Sequence, residues 1–463
     1  MAEISYTSNF DPIALDDATA AKITAVREAV KAAISDEHYT TPYASVRLLY
    51  DSAMHRVVDQ RAIAVGIIDM CVVIGIGGSS LGFRAVYDAL QDQARVQPHN
   101  VIVLETVDTP SVKAALAHIE AALAQSSFAP CSAQGYAGHG KASSFALRAT
   151  ADVTADAEPK KRIHVSVISK SGTTTETIAL WRVVQQLLQK NNPDAWYKQV
   201  TIITDAGSPL EQYAQEHKIA VLHIPKLVGG RYSVFSPAGL LPLLQCGINL
   251  NDLLAGAREA VDDMLKNPLT ESFPYLYGSL FYIAHTYTFP VHDTFIFSNW
   301  CSSIGSWHRQ LVAESLGKKQ NTGDKVVTLF PTVSIGSTDL HSIGQLYLSG
   351  ARGFLTTFLI VHEEDEIETG NDQSLDRCVA SLNDRSLADI MEIIFEGTLE
   401  AYQKRTIPCS VITLSARSPK LIGHLLQSYM LAIMHAGAML DVNPFDQPDV
   451  ERYKVIVRKL LQQ

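Results

Sequence analysis

The chain has 463 residues, 47% of them hydrophobic and 19% charged, and carries a formal net charge of −10. That length exceeds one ordinary core, so two domains with connecting helices are expected, and no tract is poor enough in apolar residues to stay unfolded. The acidic balance excludes a sequence-independent grip on nucleic-acid phosphates, so any anion must be held by local donors.

The first thirty residues carry Asp11, Asp16 and Asp17 and lack a basic start followed by an apolar core, so no signal peptide is indicated. The longest apolar run, Ala62 to Ile76, is broken by Asp69 and is too short to span a bilayer. Short β-branched runs follow at Met70–Gly77, Asn100–Thr106, Ile163–Ser169, Gln199–Asp205 and Ile219–Pro225. Between them, Thr109–Ala124 and Thr175–Lys190 repeat apolar residues at three- and four-residue steps, which predicts helices and hence a parallel sheet covered on both faces. The Ala-, Ser- and Gly-rich segment Cys131–Arg162 reads as a long surface connection inside this first domain. The rhythm restarts after Gly229–Pro242, with strand-like runs at Thr294–Asn299, Lys325–Thr332, Gly353–His362 and Cys409–Ser415. Helical stretches at Trp300–Gly317, Leu387–Arg405 and Pro419–Leu440 complete a second α/β domain. Cys71, Cys131, Cys246, Cys301, Cys378 and Cys409 are scattered, without CxxC or a tight His/Cys cluster, and read as reduced thiols of a cytoplasmic protein with no metal ligand set.

Several segments carry chemistry. The first strand runs into Gly75-Ile76-Gly77-Gly78-Ser79-Ser80-Leu81-Gly82, a turn that brings backbone N–H groups to an anion at a helix start. A dinucleotide fingerprint wants glycine where Ser80 stands, and an acid further on that Glu105 would supply. A tight structural turn, a sugar or anion site and a nucleotide site all stay open. Ser169-Lys170-Ser171-Gly172-Thr173-Thr174-Thr175 places five hydroxyls and a lysine at a second helix start. One cap needs one hydroxyl; the surplus suits the oxygens of a terminal phosphate.

Gly229-Gly230-Arg231 holds an always-charged fork at the domain seam, where a ligand contact and an interdomain salt bridge remain equal readings. Glu314 and Lys318 sit at i and i+4, the spacing of an ordinary helix-surface ion pair. His341 follows a strand-like run at the sheet edge where α/β folds bind ligands, and it is also readable as a plain surface histidine. Asn443 to Lys454 gives a polar turn feeding a last helix.

Six segments in this order, IGIGGSSLG, SKSGTTTET, GGRYSVFSPAGLLP, QLVAESLGK, DLHSIGQ and FDQPDVERYK, resemble the glucose-6-phosphate isomerase family, in its shorter bacterial form, from about Met70 to Lys454. The resemblance implies an α/β fold of two sugar-isomerase (SIS) domains with flavodoxin-like topology, parallel sheets flanked by helices, and helical N- and C-terminal extensions. The expected divisions are 1–61, 62–228, 229–440 and 441–463. It implies a cytoplasmic homodimer whose active sites lie at the domain and subunit boundary, with a phosphosugar substrate, no cofactor, no metal, and no nucleic-acid or membrane partner. The implied reaction interconverts glucose 6-phosphate and fructose 6-phosphate in glycolysis and gluconeogenesis. Ser169, Lys170, Ser171 and Thr174 match the phosphate cradle, with Gly78 and Ser79 close to the sugar. His341 matches the ring-opening residue with Lys454 nearby, Glu314 the base, Arg231 the enediolate stabiliser, and Gln310 and Gln447 substrate contacts. Asp449 departs from the family pattern, where a small residue is more usual.

Two other classes compete. A phosphosugar-sensing regulator usually adds a DNA-binding module, for which no residues are left over, and a nicotinamide-dependent dehydrogenase would use the first glycine turn.

Overall fold

The computed structural model describes residues 3–9, 16–124, 162–349, 353–362, 367–379, 382 and 384–463. Of the expected surface connection Cys131–Arg162 only Arg162 falls among them, and Cys131 lies outside.

Ten strands among the described residues form two five-stranded sheets: β1 (Ile4–Ser8), β2 (Met70–Ile74), β3 (Val101–Leu104), β4 (Ile163–Ile168), β5 (Val200–Thr204), β6 (Ala220–His223), β7 (Val291–Phe297), β8 (Phe330–Ile335), β9 (Phe354–Val361) and β10 (Cys409–Leu414). The first sheet is all parallel in the order β3-β2-β4-β5-β6. That is the flavodoxin order, so the turns leaving β2 and β4 flank the point where the winding reverses and where such folds take ligands. In the second sheet, β8-β7-β9-β10 repeats the same parallel order. Its fifth position is filled by β1, antiparallel to β10 with Ile4 opposite Leu414.

Both faces of each sheet are covered, which explains the near-continuous apolar strands. On β2, Met70, Val72 and Ile74 pack with Ile119, Leu180 and Trp181 of the helices Thr109–Ala124 and Thr175–Asn191. Cys71 and Val73 point the other way, into a core that also holds Phe83, Trp307, Leu311, Leu425 and Tyr429. Ile296 of β7 enters this same core, while Phe295 and Phe297 pack outward on Phe395 and Tyr402 of the helix Leu387–Lys404. The inner faces of both sheets thus share one apolar mass, carried by the helices Leu81–Ala89, Ser302–Leu316 and Pro419–Leu440. The latter two fall where the periodicity puts them.

Two elements differ from expectation. β1 is not foreseen, and it gives the N-terminal extension a strand beside its helices Asp17–Ile34, Ala44–Arg47 and Ser52–Val65. The strand expected at Lys325–Thr332 is displaced to Phe330–Ile335, with Val326 making only an isolated bridge to Lys319. Pro331 argues against a strand interior, but β8 pairs only with β7, and an edge strand tolerates a missing N–H donor. No helix among the described residues is long and apolar enough to cross a membrane.

The shared core carries neutral histidines. His292 and His435 are fully buried, and burial pushes each imidazole down to about 3. Both His435 nitrogens lack hydrogen-bond partners among the described residues. Because the folded value lies below the unfolded one, the unfolded chain takes up protons first as pH falls. Stability is therefore lost between the ordinary histidine range near 6.5 and about 3, at roughly 1.4 kcal/mol per pH unit for each such group. Urea-unfolding midpoints should fall steeply below pH 6, and His435→Leu should flatten that slope while leaving the midpoint at pH 7 equal or higher. A variant with the wild-type acid slope would contradict this account.

Candidate active site

The site assembles where the first glycine turn, the seam and two C-terminal elements meet. Gly77–Ser79, in the turn after β2, packs on Gly230–Tyr232. The approach requires glycine: a Cβ on Gly78 would stand 2.6 Å from the Arg231 amide nitrogen and overlap the Gly230 carbonyl. Ser233 Oγ secures the contact, donating to the carbonyls of Gly230 and Gly78 at 2.8 and 3.2 Å.

This packing sinks the Arg231 guanidinium out of solvent, its side chain 0% exposed. All its donors are engaged. Nε donates to Ser315 Oγ at 2.7 Å, Nη1 to Gln447 Oε1 at 2.6 Å and Glu314 Oε2 at 3.3 Å, and Nη2 to the carbonyls of Pro444 and Asp446 at 2.6 and 3.0 Å. A buried cation needs this kind of satisfaction, since an unpaired one costs several kcal/mol. Glu314 and Ser315 lie in the last turns of the helix Ser302–Leu316, and Gln310, one turn back, donates Nε2 to Glu314 Oε1 at 3.0 Å. The Glu314 carboxylate is thus held at both oxygens while its side chain remains 30% exposed.

The i,i+4 pairing of Glu314 with Lys318 does not form. Lys318 turns away past the helix end to Asp446 Oδ1 at 2.8 Å, and also donates to the carbonyls of Asn443 and Asp446 at 2.7 and 2.6 Å. Burial lowers its ammonium from the usual lysine range. Lys318, Ser315 and the turn Asn443–Asp446 are parts of the site that sequence spacing does not reveal, because their partners lie far along the chain, 84 residues away for Ser315 and 125 and 128 for Lys318. Only the charge of Lys318 and the Pro-containing turn hinted at them.

The hydroxyl-rich turn after β4 is braced from below. Thr204 Oγ1 donates to the Ser169 carbonyl at 2.7 Å and pairs with Ser208 Oγ at 2.8 Å. Gly172 takes φ +67°, which seats the turn on Ser208 and Leu210. Thr174 stands at the N-cap of the helix Thr175–Asn191, yet its hydroxyl makes no cap bond and instead pairs with Ser169 Oγ at 3.0 Å. Thr173 donates Oγ1 to Ser171 Oγ at 3.1 Å. The surplus hydroxyls are therefore not caps, and the first-turn N–H groups, which have no intrahelical partners, stay available to a ligand. Lys170 Nζ donates to the Lys226 carbonyl at 2.7 Å. Burial lowers its ammonium from the usual lysine range, the Asp205 charge opposes this, and Lys226 and Arg231 add to it.

Glu105 is committed elsewhere: it accepts from Arg84 Nη1 at 2.7 Å and Ser80 Oγ at 3.0 Å, which removes it as a ribose-binding acid. His341 and Lys454 are not brought to the cluster. His341 is exposed, in a turn (Thr338–His341) pinned by Asp339, whose carboxylate accepts from Ile335 N and Ser342 Oγ at 2.8 Å each. Lys454, on the helix Glu451–Leu460, pairs with Glu451 at 2.7 Å. Asp449 pairs with Arg452 at 2.9 Å on the surface.

A hydroxyl cradle and a buried arginine paired with a carboxylate recur here with the order of segments noted in the sequence. The family model described as phosphoglucose isomerase matches residues 147–463. The chain belongs to the phosphoglucose isomerase family. A glucose-6-phosphate isomerase of Alkaliphilus metalliredigens is 32% identical over 394 residues, covering 83% of this chain and 78% of its own. One of Thermus thermophilus is 34% identical over 306 residues, 66% of this chain and 72% of its own. A solved structure of a hypothetical protein from Thermus thermophilus superposes with TM-score 0.79 at 28% identity, covering 96% of this chain and 95% of that one. A glucose-6-phosphate isomerase structure from Chlamydia trachomatis shares the fold at TM-score 0.74 and 18% identity, over 99% of this chain and 88% of that one.

Family membership makes the glycine contact testable. Gly78→Ala should lower unfolding stability by about 1–3 kcal/mol through overpacking and reduce isomerase turnover by shifting Arg231. A fully active, equally stable variant would show that the turns need not touch.

Proposed function

We propose that the chain interconverts glucose 6-phosphate and fructose 6-phosphate, with Glu314 as the proton-transfer base and Arg231 as the stabiliser of the enediolate. The observation that carries the reading is the saturation of Arg231. Its five N–H donors are all in use, and the contact to Glu314, at 3.3 Å, is the longest. A developing oxyanion gains an Arg231 N–H most cheaply by displacing Glu314. The same exchange releases the carboxylate from its counter-ion and frees it to take the carbon-bound proton when the substrate arrives.

In the reaction, the sugar's phosphate sits against Ser169, Ser171, Thr174 and the helix-start N–H groups, with Lys170 adding charge. Gly78, Ser79, Gln310 and Gln447 line the sugar. After ring opening, Glu314 removes the C2 proton of the aldose; the electron pair forms the C1=C2 bond and the carbonyl electrons move to O1. Arg231 meets that charge. Transfer of the O2 proton to O1, with return of the carbon-bound proton from Glu314 to C1 and formation of the C2=O bond, gives the ketose. His341 is the acid and base of ring opening, with Lys454 nearby. The chain acts as a cytoplasmic homodimer, and the exposure of His341, with no contact to the cluster among the described residues, favours its supply by a second copy.

Glu314→Gln is near isosteric and removes only basicity, so turnover should fall about 10²–10⁴-fold in a coupled assay from fructose 6-phosphate while phosphosugar affinity holds. Near wild-type turnover would remove Glu314 from the role. Mixing unfolded Glu314→Gln and His341→Ala chains and refolding them together should restore about a quarter of wild-type activity, since half the dimers then carry one intact site of two. No recovery would place both residues in one subunit's site.

A further inference from the structure

We infer that Lys318 is a positioning residue for the reaction, acting through the turn Asn443–Asp446 on Gln447 and Arg231; the inference rests on the roles proposed above for Glu314 and Arg231. The Lys318 side chain is only 9% exposed, and its ammonium donates to three oxygens of one turn at 2.6, 2.7 and 2.8 Å. The Asp446 carbonyl is shared: Lys318 Nζ reaches it at 2.6 Å and Arg231 Nη2 at 3.0 Å. Two cations from different segments thus grip the same peptide. Phe445 fills the turn's other side, its ring 4.9 Å from Tyr43 and 5.7 Å from Tyr232.

The next residue is Gln447, whose Oε1 takes one Arg231 Nη1 proton at 2.6 Å. With that proton occupied, the other Nη1 proton is the one directed at Glu314. Lys318 follows Glu314 by four residues, so one short segment supplies both the base and the anchor that orients the base's counter-ion. Without the ammonium, the Asp446 carboxylate and the Asn443 carbonyl lose a charge-assisted donor, the turn relaxes and Gln447 leaves Arg231. The freed guanidinium then closes fully on Glu314, which ties up the base and the oxyanion donor together. A shift of about 1 Å at such a group costs on the order of 100-fold in rate.

Lys318→Met keeps the stem and removes only the charge. It should lower kcat about 10- to 100-fold with less than about a threefold change in KM for fructose 6-phosphate, since the phosphate cradle is untouched. Lys318→Ala should behave likewise and regain kcat saturably with n-propylammonium, but not with n-propanol. In a double-mutant cycle with Gln447→Leu, the effect of Lys318→Met on kcat should shrink to within about twofold, because the residue it positions is gone. Wild-type kcat in Lys318→Met, or full additivity with Gln447→Leu, overturns the inference. Should Lys318→Met unfold, propylammonium rescue of folded Lys318→Ala decides, and an absence of rescue counts against the inference. Glu314→Gln run in parallel separates the two ideas: an inactive Glu314→Gln beside a fully active Lys318→Met discards only the role of Lys318, whereas an active Glu314→Gln discards the site assignment itself.

Discussion

Everything near the site depends on keeping one guanidinium out of water. Arg231 is buried by the approach of two glycine turns from opposite sides of the seam, and a buried cation is tolerated only when its donors are filled. The chain meets that demand with Ser315 and Glu314 from one helix and with Pro444, Asp446 and Gln447 from the C-terminal turn. Three segments distant in sequence are thereby fixed around one planar group. Its fork geometry dictates their mutual placement more tightly than apolar packing does.

The hydroxyl-rich turn proposed above as the phosphate cradle is built on a different principle. It uses neutral hydroxyls and a helix start on a chain with net charge −10, and its lysine is partly desolvated. Binding a dianion there, as proposed, would avoid a large positive field and leave the strong, directional charge to Arg231. The turn is set rigidly by Thr204, Ser208 and the Gly172 conformation, so few donors need to reorganise when a ligand arrives.

Much of this was legible in the sequence because it is local. β2, β4 and β5 announce themselves by unbroken apolar residues, since both faces of their sheet are covered, and the helices Thr109–Ala124 and Pro419–Leu440 by periodic ones. β1 has only five residues and a half-exposed edge position, so its pattern is too short to stand out. Around β8 the β-branched residues Val326 and Val327 drew the expectation away from the paired segment, where Pro331 masks the signal. In the site, Arg231 and Glu314 are ambiguous by themselves, a seam arginine and one end of a helix-surface pair, and only the order of the six segments singles them out. Lys318 was read as a helix-surface partner of Glu314, because spacing reports only neighbours on the same helix and Asp446 lies 128 residues away.

The edge position of β1 bears on how the molecule is made. Ile4–Ser8 pairs with Ser410–Leu414, and Glu3 N reaches Ser415 Oγ across 412 residues of sequence. During synthesis the strand leaves the ribosome about four hundred residues ahead of its ladder partner. The first sheet draws all its strands from residues 70–223 and has no such dependence. The first sheet can pair its strands before those of β7–β10 are made, and the second stays one strand short, with β10 unguarded on that side, until residues far apart in the chain meet. Until then β10 offers an open edge, the kind of surface on which unpaired strands of other chains can add.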